Sequence, residues 1–118
     1  MTLDEFFLGY ENSRPLFEAV HAALDGIGPT QLRVSKSQVA FWRRKPAARV
    51  WVPARYLRGT PAPLVLTLAF PQPDRSPRWK QIVEPAPGRF VHHLELRTTA
   101  DLDEEVRQWL RAAWTAAA

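Results

Sequence analysis

Between Pro63 and Pro71 the chain reads Leu-Val-Leu-Thr-Leu-Ala-Phe, seven residues with no charged side chain on either alternating face. The run is about a third of the ~20 residues that a membrane helix needs. A short segment that is apolar on both faces is satisfied as a strand covered on two sides, so Leu64 to Phe70 predicts the central strand of a sheet. The rest of the chain has to supply its neighbours and its covers.

Strand neighbours are legible on both sides of it. Leu32 and Val34 alternate, Val39 and Phe41 alternate with Gln38, Ala40 and Trp42, and Val50 and Val52 follow. Lys36-Ser37 predicts a turn, and Arg44-Lys45-Pro46 ends the second strand. Later, Phe90, His92, Leu94 and Leu96 take one face of a strand while Val91, His93, Glu95 and Arg97 take the other. Pro71 to Pro87 is rich in proline and turn residues, and within it Trp79 to Val83 reads equally as a short edge strand or an ordered loop. Connections of hairpin length favour antiparallel pairing, because a parallel crossover needs a dozen or more residues.

The covers are helices. Thr2-Leu3-Asp4-Glu5 has the form of a capping box ahead of Phe6 and Phe7, and Ser13 and Pro15 open a helix carrying Phe17, Val20, Leu24 and Ile27 that Gly26, Gly28 and Pro29 stop. Thr98 or Asp101 caps a third helix with Leu102, Val106, Trp109, Leu110 and Trp114 on one stripe. The expected fold is therefore α+β: N-terminal helices, a mainly antiparallel sheet of four to five strands, and a C-terminal helix. The two-sided strand needs a second cover, which either the Phe6-Phe7 helix or a second copy of the chain supplies. At 118 residues, the whole of 1–118 reads as one domain.

Three stretches carry a resemblance: Arg33-Val-Ser-Lys-Ser-Gln-Val-Ala-Phe41, Phe90-Val-His-His-Leu-Glu-Leu96 and Asp101-Leu-Asp-Glu-Glu-Val-Arg-Gln-Trp-Leu110. Together they resemble the bacterial domain-of-unknown-function family 5655, over nearly the whole chain from about Phe6 to Trp114. The resemblance implies the same α+β domain, which in similar proteins stands alone or follows other domains, some nuclease-like. It also brings the label "predicted transport protein" without a mechanism, so it leaves function open. The chain departs from the pattern at Ala47-Ala48, where a phenylalanine is expected, and looser packing follows from that at the strand edge.

Several chemistries are excluded or unsupported. With no cysteine there is no disulfide, thiolate metal site or cysteine nucleophile, and a reducing cytoplasm suits the chain. Acids stand where a secretory leader needs basic residues, so neither export nor membrane insertion is expected. The five glycines are scattered in turns, with no phosphate loop or dinucleotide pattern, and no cofactor is expected. Adjacent His92 and His93 point to opposite faces of a strand and cannot share a metal. No nucleophile elbow is present.

Charge distribution is the remaining signal. The net charge is +4, yet no acid occurs between Asp25 and Asp74, while Arg33, Lys36, Arg43, Arg44, Lys45, Arg49, Arg55 and Arg58 all fall there. Trp42, Trp51 and Tyr56 are interleaved with them. Guanidinium groups bind phosphate and indole faces stack bases, so the combination suits nucleic acid or a phosphorylated ligand. The structural reading of the same residues is that arginine stems cover a sheet face and that Trp42 contacts Trp51 across strands. The expected site gathers Lys36, Trp42, Arg43 and Arg44 at a sheet edge, with His92 as a neighbour. Three functions are open: a non-enzymatic binding module for an anionic partner, a structural or homodimerising domain without ligand, and an enzyme on an anionic substrate with His92 as base and Lys36 as stabiliser.

Overall fold

The structure is a computed structural model that describes residues 1–118. Its helices are α1 (Leu3–Phe7), α2 (Arg14–Asp25) and α3 (Glu104–Ala116), and its strands are β1 (Gln31–Val34), β2 (Val39–Trp42), β3 (Pro46–Trp51), β4 (Leu64–Phe70), β5 (Gln81–Ala86) and β6 (Arg89–Leu96). The strands form one sheet in the order β1-β2-β3-β4-β6-β5, with every pair antiparallel. The α+β class stands, with six strands instead of four or five. The added strand is β5, which lies at the sheet edge, where Pro85 costs no ladder hydrogen bond.

Local chemistry accounts for the helix starts. Thr2 and Glu5 form the reciprocal capping box of α1. Thr98 and Asp101 form another, but it caps only a single 3-10 turn at Thr99–Asp101, and α3 starts later, with Asp103 accepting from Val106 N–H at 3.1 Å. Leu102 is thus buried from the turn before the helix and not from its stripe. That N–H bond and the Arg78 guanidinium hold the Asp103 carboxyl below its ordinary range.

One core forms on one face of the sheet. Leu64, Leu66 and Leu68 of β4 meet Val50, Leu94 and Leu96 of the flanking strands beneath Phe17, Val20 and Leu24 of α2 and Val106 and Leu110 of α3. Phe6 and Phe7 join this same core, their rings 4.8 Å apart, so α1 does not provide the second cover of β4. The opposite face, called outer below, carries Val65 and Thr67, which are still only 5% and 7% exposed. Trp51 leans over it and donates from Nε1 to Thr67 Oγ1 at 3.1 Å, and Pro53, Leu57 and Pro61 of the β3–β4 connection stand beside Val65.

The segment between β4 and β5 is ordered by aromatics. Trp79 packs on Trp109 with ring centroids 4.1 Å apart, while Arg78 pairs with Asp103 and Glu105, each at 2.9 Å. At the other end of α3, Trp114 lies so close to Gly28 that a Cβ there would stand 2.2 Å from the indole. No helix is long and apolar enough to cross a membrane.

Two local expectations are corrected. Trp42 and Trp51 make no cross-strand contact: Ala40 faces Arg49, and a bulge then sets Trp42 against Pro46, leaving the two indoles at opposite ends of β3. Packing at Ala47-Ala48 is not loose, since each is only 2% exposed.

Candidate functional site

Five residues were singled out by the sequence, and the fold disperses them. Lys36 is exposed in the β1–β2 turn, at the far end of β2 from Trp42, Arg43 and Arg44. His92 is fully buried. Its Nε2 accepts from Asp74 N–H at 2.9 Å and its Nδ1 donates to the Phe90 carbonyl at 2.9 Å, so both ring nitrogens are occupied. Lys36 and His92 do not converge in any cleft.

The basic stretch divides by the work its members do in the fold. Arg43 lies 3.6 Å over the Trp114 ring and donates to the Trp114 carbonyl at 3.1 Å. The backbone N–H groups of Arg44 and Lys45 donate to the Ala117 carbonyl at 3.0 and 3.2 Å. This turn therefore satisfies the last carbonyls of α3, whose final turn has no basic residue of its own. Arg55 donates to the Phe6 carbonyl and sits 4.9 Å over the Phe6 ring, holding α1 in place. Arg33 lies 3.8 Å over the Trp42 ring.

The side chains of Lys45 and Arg49 have no such engagement. With Arg89 and Trp42 they line a cavity of about 380 Å³, closed by Pro46, Ala69, Ala113, Ala116 and Ala117. Small alanine side chains from β4 and α3 leave the space open. Three cations stand on its wall, and no aspartate or glutamate does. Arg49 Nε is buried without a hydrogen-bond partner. Burial, with the charge of Arg89 added, pushes the Arg49 guanidinium below its ordinary value. Like charges gathered without a counter-ion destabilise the free protein, and an anion relieves both the repulsion and the orphaned donor.

Of the residues on this wall, the sequence pattern had reached Trp42, Lys45 and Arg49. Arg89 was missed, because it comes beside Arg49 only once β6 inserts between β4 and β5. Nothing in the local sequence of the Gly88-Arg89 turn points to that pairing.

A second cavity, of about 350 Å³, opens on the outer face between Trp51, Val65, His93, Glu95, Lys80 and Gln81. Thr67 Oγ1 and His93 Nδ1 are hydrogen-bonded at 2.8 Å. Burial, and then the neighbouring His92, lower the His93 pKa. No group of three or more acidic or histidine side chains is placed to hold a metal ion.

The family model described as domain of unknown function DUF5655 matches residues 3–117, so the chain belongs to that family. No curated protein and no solved structure matches it.

Proposed function

We propose that this member of the family is a non-enzymatic binding module for a phosphate-bearing partner, held in the cavity of Lys45, Arg49 and Arg89. The observation that carries the reading is the set of three cations without a carboxylate around one concave space, one of them with a buried, unpartnered Nε. Guanidinium forks match phosphate oxygens, and a concave wall excludes the water that would otherwise compete. Trp42, backed by Arg33, adds an aromatic edge. Arg44 and Lys36 are exposed and contribute long-range attraction, whereas Arg43 and His92 act through the fold. The absence of cysteine fits a reducing compartment such as the cytoplasm.

Calorimetric titration of the full chain with inorganic phosphate, pyrophosphate and short oligonucleotides, at low and physiological salt, tests this. Saturable binding that weakens with salt and is lost in the Arg49→Ala/Arg89→Ala double variant is the expected result. Binding that survives in the double variant, or no binding at low salt, overturns it. A homodimer is the competing reading, favoured by Tyr56 and Leu57 on the outer side of the β3–β4 connection, 59% and 57% exposed. It predicts a concentration-dependent dimer and no anion binding.

A further inference from the structure

The first cavity runs from the end of α3 to the outer face of the sheet, where alternation places Arg49, Ala69 and Arg89, and the second opens on that same outer face. Arg49, Thr67 and His93 stand directly opposite one another across β3, β4 and β6 and form a row. On one side of this row are Ala69 and Arg89 of the cationic cavity. On the other are Trp51, Val65 and Glu95, paired in the next row and lining the second cavity. Val65 and Ala69 are four residues apart on β4, about 13 Å at the rise of an extended strand.

The chemistry of the two spaces is unlike. Every charged side chain of the first is a cation. The second has an indole laid along the sheet, aliphatic surface from Pro53, Leu57, Pro61 and Val65, and a mixed polar rim of Lys80, Gln81, His93 and Glu95. Glu95 pairs with Arg97 at 3.7 Å and faces Lys80 across the rim, so this space has no unopposed cluster of cations, and the anionic end of a ligand is drawn to the first cavity. A hydrocarbon tail in the second would strip water from four polar side chains without returning a hydrogen bond, at a cost that apolar contact with Trp51 does not offset. A flat ring with donors and acceptors on its edge satisfies both the indole and the rim.

Resting on the phosphate-site reading above, we propose that the ligand is a nucleoside phosphate unit, free or within a single strand. Its phosphate sits among Lys45, Arg49 and Arg89, and its base against Trp51. Glu95 accepts hydrogen bonds from the base, which favours bases carrying an amino group over uracil or thymine.

The test compares inorganic phosphate, the four ribonucleosides, their 5′-monophosphates and single-stranded tetranucleotides in calorimetric titrations of the full chain. Amino-bearing monophosphates are expected to bind at least about tenfold more tightly than inorganic phosphate, the size of one base–aromatic stack. Trp51→Leu should remove that advantage and leave phosphate affinity as it was. Because Trp51 is half-buried, the milder Lys80→Ala/Glu95→Gln pair on the rim serves as a second variant and should lose the preference among bases. Monophosphates that bind no better than inorganic phosphate overturn this inference and leave the phosphate site standing. If no phosphate species binds, both readings fall. Tighter binding of the tetranucleotide identifies the source as a single strand, and equal binding identifies it as the free nucleotide.

Discussion

The guanidinium of Arg43 lies 3.6 Å above the indole of Trp114 and donates to the carbonyl of the same residue. A side chain that reads in the sequence as a ligand contact is in the structure a tie between the β2–β3 turn and the end of α3. Arg43→Ala should therefore cost ~1–2 kcal/mol of stability, the sum of an exposed cation–π contact and one hydrogen bond, and should leave phosphate binding within about twofold. Urea unfolding and calorimetry on the same preparation check both halves.

Arg49 carries the opposite expectation. Its charge is half-buried beside Arg89 without a counter-ion, so Arg49→Met should leave stability unchanged or raise it. Phosphate affinity should fall by roughly ten- to hundredfold, the worth of a hydrogen bond to a charged group. A variant that loses stability in the absence of ligand would count against the cluster as a site kept for binding.

His92 separates structure from function on the other side of the sheet. His92→Leu removes the acceptor for Asp74 N–H and the donor to the Phe90 carbonyl, at a cost on the order of 1–3 kcal/mol for each group left unpaired. The rings of Trp79 and Phe70, each 4.8 Å from His92, should repack, which near-ultraviolet circular dichroism detects. Phosphate affinity should not change.

Stability should fall in two separate steps as pH is lowered. His93 is held below its ordinary value of 6.5 in the fold, so the unfolded chain takes up that proton first. The stability this gives is complete above about pH 6.5 and is lost as pH falls through the depressed folded value. The polar groups around it are Thr67 and Trp51 beneath, Lys80 and Glu95 on the rim, and Arg49 along the row. The second step lies below the ordinary carboxylate value of 3.8, where Asp74 and Asp103, both lowered in the fold, become protonated. Urea midpoints from pH 7 to pH 5 should slope in the wild type and flatten in His93→Gln.

Much of this architecture is written in short-range pattern. The capping box at Thr2 and Glu5, the proline-bounded β4 and the alternation of β6 each depend on a handful of adjacent residues, and each is where the pattern puts it. Strand β5 is not so written, because an edge strand with a proline and no buried face carries little periodic signal. The candidate site is harder still. Which arginines are engaged and which stand free depends on partners brought from distant parts of the chain: Trp114 for Arg43, Phe6 for Arg55, and Arg89 for Arg49. A run of basic residues shows the supply of charge, and only the tertiary pairing shows what remains unspent.

The bonds from the Arg44 and Lys45 amides to the Ala117 carbonyl make the cationic wall and the last turn of α3 a single cooperative unit. Helix ends open and close locally far more often than the molecule unfolds. When that turn frays, Lys45 loses its backbone anchor and Ala113, Ala116 and Ala117 withdraw from the cavity together. Amide hydrogen exchange at Arg44 and Lys45 thus reports how often the space is assembled, and an occupant resting against those alanines slows exchange in the turn and the helix end together.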